Sequence, residues 1–346
     1  MLKGSHEQEG MRDMDSLSQD TIREIAYGFQ KSRILLTAIE LDVFTVLGSE
    51  RKSSAYVAGV LRTDERATDR LLNALCAIDL LEKTDDKFSN TAPGLRFLVR
   101  GKPESLSGLM HTVHLWEPWG MLTQAIRRGR PGSLRRMRDR GNEWLIAFIA
   151  AMHDRASKQA AGVVAQLDLR GVSRVLDLGG GSGAYAMAFA RAKTDLQATV
   201  FDLPQVISLA KKYIEKEGLS KMVRTLGGDY LVDDLGTGYD LVFLSAIIHS
   251  NSLRENETLL GKCVAAVNPR GRVVVQDYIM DEDRISPAAG AIFALNMLVS
   301  TDGGDSYTEN EVRMLMKKAG LSRVERRDTP FGVSHMIGFR ITDTQR

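Results

Sequence analysis

The stretch RVLDLGGGSGA, residues 174–184, decides the fold of this chain. Residues 174–178 form a short apolar run that favours a buried β-strand, and four glycines follow it with only Ser182 among them. A helical pattern, AYAMAFARAK, begins directly afterwards at Ala184. Glycine suits such a turn because it tolerates positive φ and lets the backbone approach a ligand closely. Strand, glycine turn and helix in this order predict the opening of a nucleotide-binding βαβ unit.

The glycine turn by itself leaves the nucleotide open. Gly179, Gly181 and Ala184 fit the dinucleotide pattern G-x-G-x-x-A, so NAD remains an alternative. Asp177 favours S-adenosyl-L-methionine, because a carboxylate just before the glycines suits the methionine end of that cofactor and repels a pyrophosphate. Asp202 ends the next apolar run, where an acid accepts hydrogen bonds from ribose hydroxyls in either cofactor.

Composition and charge exclude several classes of protein. The 346 residues allow two domains, and 46 basic against 44 acidic residues give a net charge of +2, so no overall field attracts nucleic acid or a membrane. No apolar run reaches the roughly 18 residues of a membrane span, and the polar N-terminus lacks a secretion signal. Cys76 and Cys263 lie in apolar helical patterns and are interpreted as reduced core residues, so we expect a cytoplasmic protein. We expect no metal site.

The N-terminal part of the chain predicts a winged-helix domain over residues 21–104. Residues 1–20 are polar and contain glycine, so we expect a disordered tail there. Helical patterns then cover three segments, residues 21–47, 54–61 and 65–83. A tight hairpin follows around Asp85 and Asp86, and it forms the β-wing.

A winged helix raises a DNA-binding hypothesis, which the basic run RRGRPGSLRRMRDR at residues 127–140 favours at first sight. That run lies outside the helix that would read the major groove. The helix itself, DRLLNALCAIDLL, is apolar on most faces and poor in side chains that read bases. We therefore expect no nucleic-acid partner, and we interpret the apolar helix as packing against another subunit.

Residues 105–168 continue in helical patterns and are expected to link the two domains and to wall a substrate cavity. Aromatic residues and methionines at helical spacing occur more often in a core than in a pocket, so both interpretations stay open. The candidate substrate contacts are Trp116, Trp119, Phe148, Met152 and, further along the chain, Met297.

From residue 169 to residue 346 strands and helices alternate, which predicts an α/β doubly wound parallel sheet of the Rossmann-like kind. The predicted strands cover residues 174–178, 198–203, 223–229, 240–248 and 272–280. One more helix and two strands follow, joined by a short turn around Pro330 and Gly332. A connection that short makes the last pair antiparallel.

Ligands of such sheets bind where the parallel strands end, so four strand ends should converge on one crevice. Asp229 is placed to accept from an adenine amino group and the ring of Tyr230 to stack on the base, although an ordinary turn at this strand end is the alternative. The predicted cofactor contacts at these strand ends are Asp177, Gly179, Gly181, Asp202, Leu203, Gly228, Asp229, Tyr230 and Ser245.

His249 follows the fourth predicted strand and is the candidate general base. A phenol, with a reference pKa of about 10, needs a base at neutral pH, and an imidazole, with one of about 6.5, is available unprotonated. Asp277, at the end of the fifth strand, is placed to hold the imidazole in the right tautomer. The alternative is a histidine that is merely satisfied within the fold.

These residues together resemble the S-adenosylmethionine-dependent O-methyltransferases of the caffeate, hydroxyindole and bacterial polyketide-tailoring type. The resemblance rests on the segments VLDLGGGSG, FDLPQV, GGDY, LVFLSAIIHS and GGDSYTENEVRMLMKKAG. It implies methyl transfer to a small aromatic acceptor, with His249 as the base. It also implies an obligate homodimer, formed through the winged-helix domain, whose helices help to close the partner's active site.

The chain departs from this family at two positions beside the base. Many members have an acid where this chain has Ser250, and a glutamate where it has Ser306. These departures keep open a relative that methylates carbon or transfers no methyl group. The winged helix and the glycine pattern keep two further alternatives, a DNA-binding regulator and an NAD oxidoreductase.

Overall fold

A computed structural model describes residues 17–106, 108–132 and 141–340. The chain divides into two compact units, Met1–Leu109 and Met110–Arg346. Most of the tail predicted over residues 1–20, and the second half of the basic run at residues 127–140, lie outside the described residues. The further boundary predicted at residue 168 stays a prediction.

The first unit contains the predicted helices and wing, with two corrections. The helix predicted over residues 21–47 is two helices, because Asp42 between them has φ 64°. The helix predicted over residues 65–83 ends at Ala77, and the residues that follow turn into a strand. The elements are α1 (Gln19–Glu40), α2 (Val43–Leu47), β1 (Lys52–Ser53), α3 (Ser54–Leu61), α4 (Glu65–Ala77), β2 (Leu81–Thr84), β3 (Lys87–Asn90) and α5 (Ala92–Phe97).

The predicted hairpin is confirmed. Strands β2 and β3 pair antiparallel across Asp85 and Asp86, which both have positive φ, as a two-residue turn that matches the strand twist requires. Strand β1 adds to β3 and completes a three-stranded sheet. Phe88 of β3 is fully buried together with Phe44 and Leu72, and these residues form the centre of this unit's core.

Helix α1 exposes an apolar stripe over its first half. Ile22, Ile25 and Phe29 follow one another at helical spacing and are 57%, 71% and 55% exposed. Leu36 and Ala38, in the second half, are buried in the core of the unit. A stripe of this kind is typical of a surface that another protein covers.

The second unit begins with helices, as predicted. They are α6 (Leu109–Gly120), α7 (Leu122–Arg128) and α8 (Asn142–Ala165). Along α8, Ala160, Val163 and Val164 are buried against α9 and the sheet, because their spacing places them on one face of the helix.

The seven-stranded sheet has the order β6-β5-β4-β7-β8-β10-β9. Strands β4 to β8 are parallel, and β10 is antiparallel to both of its neighbours, so the doubly wound sheet with an antiparallel last strand is confirmed. Apolar residues of β4, β7 and β8 are fully buried, which is why these runs form central strands. The strands are β4 (Arg174–Leu178), β5 (Gln197–Asp202), β6 (Val223–Gly227), β7 (Tyr239–Ser245), β8 (Val267–Asp277), β9 (Leu321–Asp328) and β10 (Ser334–Arg340).

Helices cover both faces of this sheet. They are α9 (Ala184–Ala192), α10 (Pro204–Lys216), α11 (Leu253–Ala266), α12 (Ala288–Ser300) and α13 (Glu309–Lys318). The bounds predicted for four strands were wrong: β5 runs from Gln197 to Asp202, β6 ends at Gly227, β7 runs from Tyr239 to Ser245, and β8 runs from Val267 to Asp277. The sequence analysis also assigned no helix to α12. Among the described residues, no helix combines the length and apolarity needed to cross a membrane.

Candidate active site

The glycine turn after β4 lies at the carboxyl end of a central parallel strand, where such sheets bind their ligands. Gly179, Gly181 and Gly183 all have positive φ, of 66°, 57° and 79°. A Cβ atom on Gly179 would lie 2.2 Å from the Cδ1 atom of Ile247, so this contact and the positive φ together favour glycine there. A ligand can therefore approach the backbone of this turn closely, as a nucleotide-binding turn requires.

Asp202 is fixed at the end of β5 by two backbone donors. Its Oδ2 atom accepts from the Gly181 N–H at 2.8 Å, and its Oδ1 atom accepts from the Leu203 N–H at 2.7 Å. Burial raises the pKa of this carboxyl to about 6. Each oxygen keeps a further lone pair, so the carboxylate can still accept from the hydroxyls of a ribose.

Asp177 carries a buried acceptor atom that lacks a donor. Its Oδ2 atom accepts from the Ala186 N–H at 3.0 Å, at the start of α9. Its Oδ1 atom is buried and has no hydrogen-bond partner within the described part of the chain. Burial, with a smaller contribution from the charge of Asp202, raises the pKa of the Asp177 carboxyl to about 7. A group in this state fits a bound molecule or water that donates to it.

The end of β6 brings Gly228, Asp229 and Tyr230 to the rim. The Oδ1 atom of Asp229 accepts from the Leu231 N–H at 3.0 Å, which closes a local turn. The Tyr230 hydroxyl donates to Asn251 at 3.1 Å, and burial raises its pKa to about 12. The Tyr230 ring packs against the core beneath α11, so its stacking on a base stays a prediction.

Ser245 is oriented by a buried polar network that the sequence analysis missed. The Gln276 side-chain amide donates to Ser245 at 2.8 Å and to Tyr185 at 2.7 Å, and its oxygen accepts from the Nε2–H of His335 at 2.9 Å. Burial lowers the pKa of His335 to about 4, so this ring is neutral and acts as a donor. The only sequence signal was a glutamine at the end of the apolar run VVVQD.

His249 and Asp277 form a hydrogen-bonded pair. His249 lies on a 3₁₀ turn, Ile248–Ser250, and its Nδ1 atom is 2.8 and 2.9 Å from the two carboxylate oxygens of Asp277. The Tyr278 N–H donates to Asp277 Oδ1 at 2.9 Å, and the carboxylate is 3% exposed. An acceptor on Nδ1 fixes the proton there, which leaves Nε2 as the basic nitrogen.

The turn that carries His249 is held from three sides. The Asn256 amide donates to the Ile248 carbonyl at 2.8 Å, and the Tyr307 hydroxyl donates to the Asn251 carbonyl. A Cβ atom on Gly304 would lie 2.2 Å from the His249 carbonyl oxygen, so the loop after α12 packs directly on this turn. These contacts restrict the position of the imidazole.

Three further residues bear on the base: Ala246, whose backbone is strained, and Ser250 and Ser306, where the chain departs from the family that it resembles. Ala246, just before the turn, has φ 58°, which is uncommon for a residue with a side chain. Ser250 is exposed, and the Ser306 hydroxyl donates to the Gly290 carbonyl at 2.8 Å. Among the described residues, Asp277 is therefore the acid that supports the imidazole.

The candidate substrate residues fall into separate groups. Trp119 on α6 donates to the side chain of Asn296 on α12 at 3.0 Å. Phe148 stacks on Trp144 at 5.0 Å. Met297 is buried, and Trp116 and Met152 are half-buried. Their contact with an acceptor stays a prediction.

The sequence analysis also missed an aromatic contact of the base. Phe293 on α12 meets the His249 ring edge-on, with the ring centroids 4.8 Å apart. Within the described residues, no group of three or more His, Cys, Asp or Glu side chains is arranged to hold a metal ion.

Comparisons with known proteins agree with this architecture. Residues 119–322 match the model of an O-methyltransferase domain, and residues 23–100 match that of an O-methyltransferase dimerisation domain. The chain is 32% identical to a 3-hydroxy-5-methyl-1-naphthoate 3-O-methyltransferase of Streptomyces sahachiroi, over 88% of this chain and 89% of that one. It is 30% identical to the tetracenomycin polyketide synthesis 8-O-methyl transferase of Streptomyces glaucescens, over 88% and 91%.

One similar protein has been solved with the cofactor bound. The crystal structure of human N-acetylserotonin methyltransferase in complex with S-adenosylmethionine superposes with a TM-score of 0.80 at 27% identity. The match covers 95% of this chain and 99% of that one. The glycine turn, the fixed carboxylate of Asp202 and the unpartnered oxygen of Asp177 fit the same cofactor.

Proposed function

Because this chain belongs to the S-adenosylmethionine-dependent O-methyltransferases, we propose that it methylates a phenolic hydroxyl of a small aromatic or polycyclic metabolite. The named acceptors of its relatives support this class, since they include a hydroxynaphthoate and a polyketide of tetracenomycin synthesis. The pairing of His249 with Asp277 is the observation that carries the proposal, because a phenol requires a base at neutral pH.

We propose the residues that hold the cofactor from their position at the carboxyl ends of the parallel strands. Gly179 and Gly181 form its floor, and Asp202 accepts from the ribose hydroxyls. Leu203, Gly228, Asp229, Tyr230 and Ser245 complete its rim, and Asp177 lies at the methionine end. When bound, S-adenosylmethionine would supply an electrophilic methyl group on a sulfonium sulfur and would leave as the neutral thioether S-adenosylhomocysteine. The protein aligns the acceptor oxygen with that group and removes the proton.

His249 acts as the general base through Nε2. As the acceptor oxygen gains the methyl group, its O–H bond breaks and the proton passes to Nε2, which makes the ring an imidazolium. Asp277 keeps the proton of the neutral ring on Nδ1 and then stabilises the positive charge. Asp277 therefore positions and supports the base, while His249 contacts the reacting hydroxyl.

The N-terminal unit pairs two copies of the chain. The match to a dimerisation domain supports this, and the exposed stripe of Ile22, Ile25 and Phe29 provides an apolar surface for the contact. The proposed active form is therefore a homodimer with a small-molecule acceptor as its other partner.

The test uses S-adenosylmethionine labelled with ¹³C in the methyl group and a panel of naphthols and polycyclic phenols. We expect the label in an aryl methyl ether, seen by NMR and by product mass. A His249→Ala variant should lose about 10²- to 10⁴-fold in kcat, whereas a Ser250→Ala variant, changed at the exposed neighbour, should keep its activity. Label on carbon, or no transfer to any phenol, would overturn the proposed reaction. Full turnover by His249→Ala would overturn the role of the base.

A further inference from the structure

A cationic side chain on α8 lies in line with the proposed acceptor contacts. Phe148, Met152 and Arg155 are spaced i, i+4 and i+7, so they follow one another along the same face of the helix. Arg155 donates from its guanidinium to the Tyr278 hydroxyl at 2.9 Å, and its Cζ atom lies 5.6 Å from the centre of that ring.

An aromatic path joins this guanidinium to the base. The Tyr278 ring lies 5.2 Å from Phe293, and Phe293 lies 4.8 Å from His249. Tyr278 also follows Asp277 directly and donates its N–H to that carboxylate. Two aromatic side chains therefore connect Arg155 with His249, and their rings are tilted by 51° to each other.

Arg155 is exposed and pairs with no carboxylate among the described residues. By contrast, Arg191, Arg284 and Arg326 of the same unit each pair with an acid at 2.5–2.7 Å. Its described hydrogen bond goes to a neutral phenol, which leaves most of the guanidinium's donors available. A fork of donors in a fixed orientation matches the two oxygens of a carboxylate.

We propose that Arg155, positioned by Tyr278, binds a carboxylate of the acceptor, and that the acceptor is a hydroxylated aromatic acid. This inference rests on the proposed function, since it assigns one end of the acceptor to the base. The carboxylate and the reacting hydroxyl are therefore bound by different residues, Arg155 and His249.

The test compares three acceptors that differ at one substituent: 6-hydroxy-2-naphthoic acid, its carboxamide and 2-naphthol. The wild-type enzyme should prefer the acid by about tenfold to hundredfold in kcat/KM, the range expected for a charge-assisted pair. Arg155→Gln should remove that preference mainly through KM and leave the two neutral acceptors within about twofold of wild type. Arg155→Lys should recover part of it, because the charge returns without the fork.

Two further variants separate positioning from general damage. Tyr278→Phe removes the hydroxyl that holds Arg155 and keeps the ring, so it should raise KM for the acid by a smaller factor. Lys211→Gln, an equal loss of charge at an exposed site on α10, should change nothing. Calorimetry with the reaction product, 6-methoxy-2-naphthoic acid, measures the same subsite without turnover, and Arg155→Gln should lose affinity for it in the presence of S-adenosylhomocysteine.

Each outcome has a distinct meaning. Equal losses on all three acceptors, or a wild-type enzyme that accepts naphthol as well as the acid, would overturn the subsite and leave the phenol methyltransferase intact. Failure to methylate any phenol would overturn the proposed function and the subsite with it.

Discussion

Replacing Asp277 with asparagine tests the proposed catalytic pair most directly. Oδ1 of Asp277 accepts from the Tyr278 N–H at 2.9 Å, so the carbonyl oxygen of the new amide should occupy that position. Its nitrogen then takes the place of Oδ2, 2.9 Å from Nδ1 of His249, while its oxygen stays 2.8 Å from the same atom. The amide carries no negative charge to stabilise the imidazolium, and its N–H group competes for Nδ1, which favours the tautomer with the proton on Nε2.

The expected loss in kcat is about 10²- to 10⁴-fold, or roughly 3–5 kcal/mol, because the amide neither stabilises the imidazolium by charge nor keeps the proton of the neutral ring on Nδ1. The assay is initial-rate methylation at saturating S-adenosylmethionine, with a series of phenols of decreasing pKa. The loss should shrink along the series, since an acidic phenol is already ionised and needs no base.

The control for this variant is Asp281→Asn, the same chemical change at a half-exposed surface ion pair four residues further on. Both variants should bind S-adenosylhomocysteine as the wild type does. A kcat within about threefold of wild type for Asp277→Asn, or a loss that is equal for all the phenols, would refute the assignment of His249 as the base held by Asp277.

Four other predictions follow from the proposed cofactor contacts and from α1. Gly179→Ala should weaken S-adenosylhomocysteine binding by more than about tenfold, because the new methyl meets Ile247 in a backbone that already disfavours alanine; unchanged calorimetry would contradict this. Affinity for the same ligand should fall as pH drops below about 6, where Asp202 becomes protonated, and Asp202→Asn should flatten that dependence; a flat wild-type profile would argue against the contact. Without ligand, the raised pKa values of Asp177 and Asp202 mean that the folded state binds more protons than the unfolded state. Their contribution to the free energy of unfolding is therefore full below pH 4 and is lost as pH rises through about 6 to 7. Denaturant titrations at several pH values in which Asp177→Asn keeps the wild-type dependence of this free energy on pH would exclude this. Phe29→Glu should yield monomers in light scattering, and an unchanged molar mass would mean that the dimer contact lies elsewhere.

The sequence predicted those parts of the molecule that local patterns determine. The glycines after β4 and the aspartates at residues 85 and 86 require particular backbone angles, and their predicted turns are present. His249 and Asp277 are adjacent because the carboxyl ends of neighbouring parallel strands meet at one edge of the sheet.

Other features depend on contacts between distant segments, and no local pattern reports them. Gln276 hydrogen-bonds to Tyr185, which is 91 residues away, and the sequence showed only a polar residue in an apolar run. Residues 78–83 continue the apolar spacing of α4, yet the chain turns at Asp79, which has φ 61°, and then pairs with β3. Phe293 contacts the His249 ring and Arg155 contacts the Tyr278 ring, and only the folded chain brings these residues together.

The left-handed backbone at Ala246 limits how this chain can vary in evolution. A residue with a side chain costs about 1–2 kcal/mol in that conformation, and branching at Cβ makes the cost higher. Glycine, asparagine and aspartate should therefore be the tolerated replacements, although Ala246 is exposed and directly follows a strand rich in branched and aromatic residues. A library of all substitutions at this position should recover few valines and isoleucines among its active members.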